Sequence, residues 1–264
     1  MAELDSAHDM GTPCMTDSYP KTFYDNQVDG SLRSAEVILG LIWQISHPGS
    51  VIDVGCGRGA WLAVAERLGA NVLTGLDGEW VNADDLLSAN IQFLPTNLDS
   101  EFRIESQYDL CISMEVAEHL PESSARTFVE KLCALSRLVL FSAAVKGQGG
   151  TSHLNEQSQS YWIGLFREAR YDCLDVIRPS IWRNDSVKCW YRQNTFLFHH
   201  PDYRFEETIR LPCGPKEYSD LIHPDLFLQR VMAYRQLQER PTLRWLAGRL
   251  RDYFRQKLPT SARS

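Results

Sequence analysis

The sequence predicts an α/β fold of three layers, in which helices cover both faces of a seven-stranded, mostly parallel sheet, with a C-terminal helical tail. One observation is an apolar, β-branched run at 51–54 that ends in glycines and continues into a helix-favouring stretch at 60–68. A second is that four more apolar runs alternate with helical spacing up to residue 143, as in parallel strands joined by crossover helices. A third is a pair of strand-like runs at 173–178 and 195–199, which close the sheet.

The spacing of apolar residues also gives the individual elements in order. Apolar residues recur at helical spacing from Gln27 to Ile45, and His47-Pro48-Gly49 ends this helix before the first strand. The predicted strands are 51–54, 71–76, 91–94, 108–114, 138–143, 173–178 and 195–199, and the remaining predicted helices are 60–68, 123–135, 161–170, 221–237 and 243–258. The last helix is basic with a modest apolar stripe, which favours packing on its own domain or in a homodimer over membrane-surface binding.

Length and composition limit the number of domains and the partners. A chain of 264 residues with 44% apolar content can bury one substantial core. We therefore expect a flexible N-terminal segment at 1–26, one main domain at 27–200 and a C-terminal helical extension at 201–264. The formal net charge of −7 argues against a surface for duplex nucleic acid.

Cysteine usage and the N-terminus indicate the compartment. The chain has seven scattered cysteines and no C-x-x-C pair, which predicts a reduced, cytoplasmic protein. The N-terminus lacks the basic start and apolar run of a signal peptide, and no apolar stretch is long enough to span a bilayer.

The glycine turn after the first strand is the clearest candidate binding site. Gly55, Gly57 and Gly59 allow positive φ angles and close approach, so that backbone amides and a helix N-terminus face a ligand. Gly55, Gly57 and Ala60 also satisfy the looser dinucleotide fingerprint, so the glycines alone do not identify that ligand. Asp53 would face a pyrophosphate unfavourably, whereas its carboxylate could hold the ammonium of an amino-acid moiety.

An acidic residue shortly before G-x-G-x-G, here Asp53 before Gly55, resembles the first motif of the class I S-adenosylmethionine (SAM) methyltransferases. This resemblance implies a Rossmann-like sandwich with SAM at the carboxyl ends of the strands. Asp77, at the tip of the second strand, would hold the ribose diol, and either Asn97 or Asp99 would meet the adenine. The residues expected to bind the cofactor are Asp53, Gly55, Cys56, Gly57, Gly59, Asp77, Asn97, Leu98 and Met114.

The stretch E-V-A-E-H after the fourth strand carries the candidate chemistry. In an α-helix, Glu115, Glu118 and His119 would share one face. His119 would then act as a general base oriented by Glu115, or the three side chains and His153 would bind a divalent cation, or the cluster would only cap a helix.

A resemblance to known families supports the metal interpretation. E-x-x-E-H followed by a later histidine resembles the metal site of the small-RNA 3′-terminal 2′-O-methyltransferases, and it is similar to that of the ubiquinone-pathway O-methyltransferases. This resemblance implies that Glu115, Glu118, His119 and His153 would hold Mg²⁺, Mn²⁺, Fe²⁺ or Zn²⁺ beside the acceptor oxygen.

The span from Ser31 to His200 also resembles uncharacterised class I methyltransferases found beside glycan and natural-product genes. The matching pieces include F-S-A-A at 141–144 and the loop G-G-x-x-H-x-N-E-Q at 149–157. The side chains expected to line an acceptor pocket are Gln148, His153, Asn155, Trp182, Arg183 and Trp190, although the tryptophans equally suit the core.

The predicted function is therefore SAM-dependent methyl transfer to a hydroxyl oxygen of a small polar acceptor, a sugar or another natural-product metabolite. The alternatives are a metal-dependent 2′-O-methyltransferase acting on RNA 3′ ends, an NAD-dependent oxidoreductase, and a module that binds SAM without catalysis.

Overall fold

The three predicted layers are present in the protein. A computed structural model describes residues 21–100, 104–206, 212, 219–238 and 250. One sheet of seven strands has the order β3-β2-β1-β4-β5-β7-β6, and β7 is antiparallel to both of its neighbours. The strands are β1 Ser50–Val54, β2 Val72–Asp77, β3 Ile91–Pro95, β4 Leu110–Met114, β5 Leu138–Ser142, β6 Asp172–Leu174 and β7 Phe196–His199. The predicted α/β fold with a seven-stranded, mostly parallel sheet is confirmed.

The helices of the described residues lie between these strands and after the last one. They are α1 Lys21–Ile42, α2 Ala60–Arg67, α3 Ala125–Leu135, α4 Gln159–Glu168, α5 Ile177–Ile181, α6 Cys189–Asn194 and α7 Pro224–Gln238. Because α1 begins at Lys21, the boundary predicted after residue 26 falls inside a helix. Among the described residues, no helix is long and apolar enough to cross a bilayer.

The two faces of the sheet bury separate apolar clusters. Val51 packs with α1, α2 and α5, whereas Ile52 and Val54 pack with α3 and α4. Neighbouring residues of one strand thus serve opposite clusters, because side chains alternate between the faces of a sheet. This double burial explains why Val51, Ile52 and Val54 are all apolar, although they do not share one face of the sheet.

The strand predicted at 173–178 is wrong at its end. β6 stops at Leu174, and Ile177–Ile181 forms helix α5. Asp175 accepts hydrogen bonds from the buried Arg178 guanidinium at 3.0 and 2.6 Å, and an i, i+3 pair of this kind suits a helical turn. Ile177 and Ile181, one helical turn apart, are both fully buried, which gives the helix its apolar face.

The C-terminal extension is described only in part. α7 occupies most of the helix predicted at 221–237. The helix predicted at 243–258 lies outside the described residues apart from Leu250, and the segment 1–20 also lies outside them. The described cysteines are free thiols, namely Cys56, Cys111, Cys133, Cys173 and Cys189.

Candidate functional site

The glycine turn between β1 and α2 has one packed end and one open face. Gly55, Gly57 and Gly59 have φ angles of 89°, 51° and 76°, which favour glycine at each position. A Cβ on Gly55 would lie 2.3 Å from Cγ2 of Val116, so the turn packs directly on the segment after β4. A Cβ on Gly57 would meet no atom within 4 Å, so there is space for a ligand in front of this residue.

Asp53 carries a buried oxygen without a partner. Its side chain lies in β1, 1% exposed, and Oδ2 has no hydrogen bond among the described residues. Burial, and then the nearby charge of Asp77, hold the pKa of Asp53 well above its usual value. A buried carboxylate without a donor is a site that a cationic ligand group would stabilise.

Asp77 ties the end of β2 to the glycine turn. Its Oδ2 accepts the Gly57 amide at 2.8 Å, and its Oδ1 accepts the Gly78 amide at 2.7 Å. Burial raises the pKa of Asp77, and these two bonds with that of the Trp80 indole oppose the rise. Asp77 thus orders the turn, and because these three donors use three of the four lone pairs of the carboxylate, one lone pair can still accept from a ribose hydroxyl.

The remaining predicted cofactor residues lie along the same edge of the sheet. Asn97 is exposed, and its Oδ1 accepts the Asp99 amide at 3.1 Å, so part of its hydrogen-bonding capacity serves a turn. Leu98, Cys56 and Met114 are buried. Burial also raises the pKa of the Cys56 thiol well above its usual range, so this cysteine is no nucleophile.

The E-V-A-E-H segment does not form the predicted α-helical face. Glu115 has a φ of 57°, and only a 3₁₀ turn, Ala117–His119, follows it. The Glu115 carboxylate instead accepts hydrogen bonds from Gln148 at 2.7 Å and Asn194 at 3.2 Å. Burial raises the pKa of Glu115, while these two amides and Ser142 favour its ionised form.

A carboxylate and two imidazoles meet below this turn. Glu118, His119 and His153 each offer one atom that could bind a metal ion, and these three atoms lie within 4.8 Å of one another. Glu118 is fully buried. The Ala144 amide and the Glu115 carboxyl group lie near its carboxyl group, but neither oxygen of Glu118 completes a hydrogen bond of good geometry among the described residues. Burial, and then the charge of Glu115, hold the pKa of Glu118 well above its usual value.

The hydrogen bonds of the two histidines leave the same ring nitrogen unused. Nδ1 of His119 lies 3.3 Å from the Ser152 carbonyl oxygen, and Nδ1 of His153 lies 2.8 Å from a Glu156 oxygen. The two rings meet edge to face with centroids 4.8 Å apart. Ser152, and not Glu115 as expected, is therefore the acceptor that orients His119.

The surroundings of His119 favour its neutral form. Burial, and then the neighbouring His153, lower the pKa of His119, and the bond to Ser152 only partly opposes them. With Nδ1 donating to a carbonyl, the neutral ring presents an Nε2 lone pair. Such a ring can bind a metal ion or accept a proton. The Glu118 oxygens beside it fit a divalent cation, because an ion would satisfy buried acceptors that lack a well-formed hydrogen bond.

The comparison with known families decides the class of this site. Residues 32–194 match the family described as "Methyltransferase domain". The chain belongs to this family. The match and the fold confirm the prediction of a class I methyltransferase domain, and they favour it over a nicotinamide-dependent oxidoreductase.

Curated relatives and solved structures agree with this class. The "Ubiquinone biosynthesis O-methyltransferase" of Methylobacterium sp. (strain 4-46) is 26% identical over 138 residues, which cover 49% of this chain and 54% of that protein. The protein of the same name from Klebsiella pneumoniae (strain 342) is 27% identical over 165 residues, which cover 57% and 62%. The chain thus spans between half and two thirds of each of these two relatives.

A solved structure shares the fold at low identity. The magnesium protoporphyrin IX methyltransferase from Synechocystis PCC 6803, crystallised with bound SAH (S-adenosylhomocysteine), superposes with a TM-score of 0.52 at 17% identity. The superposition covers 69% of this chain and 89% of that one. A form of the same protein crystallised with SAM superposes with a TM-score of 0.51.

The side chains expected to line an acceptor pocket lie in three separate places in the methyltransferase domain. Gln148, His153 and Asn155 lie on the loop beside the cluster. Trp182 and Arg183 instead border a cavity of about 610 Å³ beside α5, whose lining includes none of those three residues. Trp190 is half-buried against the apolar cluster of α1 and α2, which supports its interpretation as a core residue.

Three contacts that position Glu115, His119 and His153 were not predicted from the sequence. Asn194, at the end of α6, binds Glu115 from 79 positions away in the chain. Ser152 and Glu156 orient the two histidines. Only Glu156 left a signal, because a glutamate three residues after a histidine in a glycine-rich loop is suited to such a pairing.

Proposed function

We propose that this chain is a SAM-dependent methyltransferase that methylates a hydroxyl oxygen of a small polar acceptor, a sugar or another natural-product metabolite. The observation that carries the proposal is the contact between Gly55 and Val116. This contact brings the open glycine turn next to the segment that bears Glu118 and His119. A methyl donor bound at the turn would therefore face a methyl acceptor bound at that segment.

The chain's own groups support a SAM site at the glycine turn. The unpartnered Oδ2 of Asp53 matches an ammonium group, and the open space at Gly57 admits a ligand against backbone amides. Asp77 retains acceptor capacity for one hydroxyl of the ribose diol. When bound, SAM would supply the methyl group.

The cluster of Glu118, His119 and His153 supports binding of the methyl acceptor across the Gly55–Val116 contact from the proposed SAM site. These residues, with Glu115 adjacent, would hold a divalent cation through one carboxylate and two imidazole nitrogens. When bound, the ion would lower the pKa of the acceptor hydroxyl. Without an ion, the neutral Nε2 of His119 is placed to accept the hydroxyl proton as a general base.

Calorimetry with SAH tests the cofactor site. We expect wild-type protein to bind SAH and not NAD, and we expect Asp53→Ala to weaken SAH binding by at least about tenfold, equivalent to about 1.4 kcal/mol. Binding of NAD without binding of SAH would contradict the proposal.

Transfer of labelled methyl groups from SAM tests the acceptor class. A panel of sugars, other hydroxylated metabolites and short RNAs is compared under the same conditions. Label in the small hydroxylated compounds supports the proposal. Label only in RNA, at the 3′ end, would instead establish the RNA methyltransferase, and SAH binding without transfer to any acceptor would favour a non-catalytic module.

Binding of Mn²⁺, followed by electron paramagnetic resonance, tests the metal cluster. We expect Glu118→Gln and His153→Ala to weaken binding, because each removes one of the proposed donors. His47→Ala is the matched control, since His47 also pairs with a glutamate, Glu206, at 2.8 Å but lies on the surface. Full activity after chelation would exclude the cation and leave His119 as the metal-free base.

We also propose a homodimer formed through the C-terminal helices of a cytoplasmic protein. α7 exposes the apolar side chains of Phe227, Leu228 and Met232, which support a contact with another subunit. Light scattering should give a dimeric mass for the wild type and a monomeric mass for Phe227→Glu. A monomeric wild type would contradict this part of the proposal.

A further inference from the structure

The loop that carries His153 is folded around a single carboxylate. Glu156 accepts the Gly147 amide on Oε2 at 2.8 Å and the Gly149 amide on Oε1 at 2.7 Å. Gly147 and Gly149 have φ angles of 81° and 64°, which let both amides turn towards one side chain. Glu156 therefore joins the glycine-rich start of the loop to the part that carries His153.

The same carboxylate also receives His153. Oε1 of Glu156 lies 2.8 Å from Nδ1 of His153, and the two side chains are 19% and 12% exposed. Because an ionised carboxylate only accepts, this bond requires a proton on Nδ1. Three N–H groups, from Gly147, Gly149 and His153, converge on this one carboxylate, as donors do on an ionised acceptor.

Packing limits how far the His153 ring can rotate. A Cβ on Gly150 would lie 2.2 Å from Nε2 of His153, so the ring sits directly against the loop backbone. The ring also contacts His119 edge to face. The ring is therefore confined by Gly150 and His119, while Glu156 selects which of its nitrogens carries the proton.

We propose that Glu156 is a positioning residue that holds His153 in the Nδ1–H tautomer, with the Nε2 lone pair available to the cluster of Glu118 and His119. The inference rests on the proposed metal-binding function of that cluster. A carboxylate behind a histidine ligand fixes the tautomer and the ring orientation and makes the ligand more basic. The Ser152 carbonyl does the same for His119 with a neutral acceptor.

The experiment measures the tautomer directly in metal-free protein. Histidine is labelled with ¹⁵N, and spectra are recorded at about pH 8, above the reference imidazole pKa of about 6.5. The His153 signals are assigned by their loss in His153→Ala. We expect wild-type His153 to be protonated on Nδ1. Glu156→Ala should move the proton to Nε2, whereas Glu156→Gln should keep Nδ1–H because the amide oxygen still accepts.

A second readout follows the consequence for metal affinity. The dissociation constant for Mn²⁺ should rise about 10–100-fold in Glu156→Ala. In Glu156→Gln the rise should be smaller. If the amide oxygen replaces Oε1, it still accepts from Gly149 and His153, and only the Gly147 amide then faces the NH₂ group. Glu206→Ala is the matched control, because it removes the glutamate from another His–Glu pair at 2.8 Å and should leave both the His153 signals and Mn²⁺ affinity unchanged.

The two readouts separate the inference from the function it rests on. Nε2–H in wild-type His153, or an unchanged tautomer in Glu156→Ala, would overturn the role of Glu156. Absence of Mn²⁺ binding to the wild type would overturn the metal function, and the tautomer would still decide the positioning role. If the Glu156 variants do not fold, the wild-type tautomer decides it alone.

Discussion

Alanine substitutions in the glycine turn should separate stability from ligand binding. Gly55 has a φ of 89°, and its added Cβ would lie 2.3 Å from Cγ2 and 2.9 Å from Cγ1 of Val116. Backbone strain of about 1–3 kcal/mol adds to overpacking of about 1–3 kcal/mol. We therefore expect Gly55→Ala to destabilise the domain by roughly 2–6 kcal/mol.

Gly57→Ala should instead weaken ligand binding while reducing stability only slightly. Its φ of 51° lies in the left-handed region, and the added Cβ would meet no protein atom within 4 Å. The strain is about 1–2 kcal/mol, partly offset by the lower entropy of the unfolded chain. The methyl group, however, would enter the proposed cofactor space, so we expect the dissociation constant for SAH to rise at least about tenfold.

Thermal unfolding and calorimetry with SAH measure the two effects separately. At about 2–4 °C per kcal/mol, Gly55→Ala should melt roughly 5–20 °C lower than wild type and Gly57→Ala no more than a few degrees lower. Gly164→Ala, in the middle of α4 with no atom within 4 Å of the new methyl, is the control and should be slightly stabilised. Wild-type SAH affinity in Gly57→Ala would refute the assignment of the cofactor space. A wild-type melting temperature in Gly55→Ala would refute the packing of Val116 on the turn.

Three further substitutions test buried polar groups by thermal unfolding. The raised pKa of Asp53 keeps its carboxyl neutral in the folded protein above the usual value of 3.8, so this group's stability contribution is lost as the pH rises through the folded pKa. Ligand-free Asp53→Asn should therefore melt above wild type at pH 7, and the difference should disappear near about pH 3. Asp175→Ala leaves the guanidinium of Arg178, 2% exposed, without its charge partner and should destabilise by about 3–5 kcal/mol. Tyr171→Phe removes a hydroxyl within 2.7 and 2.8 Å of two backbone carbonyl oxygens and should destabilise by about 1–3 kcal/mol.

Each of these expectations has an outcome that contradicts it. An equal melting temperature of Asp53→Asn and wild type at every pH would mean that Asp53 is not held neutral. Asp175→Ala as stable as wild type would mean that Arg178 reaches solvent. An unchanged Tyr171→Phe would mean that water satisfies the carbonyl oxygens in place of the hydroxyl.

The fold was predictable from the chain because its signals are local. The β-branched run before Gly55, the regular alternation of apolar strands with helical spacing, and the turn residues between them depend on neighbours within a few positions. The error at 173–178 has the same origin. An apolar segment of that length suits a strand or a helix, and here a pairing of Asp175 with Arg178 together with burial of Ile177 and Ile181 favoured the helix.

For the site, the sequence predicted which residues come together but not how they are arranged. The sequence indicated that Glu118, His119 and His153 belong together. It placed Glu115, Glu118 and His119 on one α-helical face, which the φ of 57° at Glu115 does not allow. It also gave no indication that Asn194 would bind Glu115 or that Ser152 would orient His119.

The sequence by itself determined where most strands lie along the chain, the position of the glycine turn and the residue types that could bind a cofactor or a cation. The tertiary structure decided which of those side chains meet, which acceptor each histidine uses and which carboxylates remain without a donor. The reason is that backbone conformation responds to adjacent residues, whereas Glu115 receives its partners from 33 and 79 positions away. Only the folded sheet, with the carboxyl ends of its parallel strands at one edge, brings those partners together.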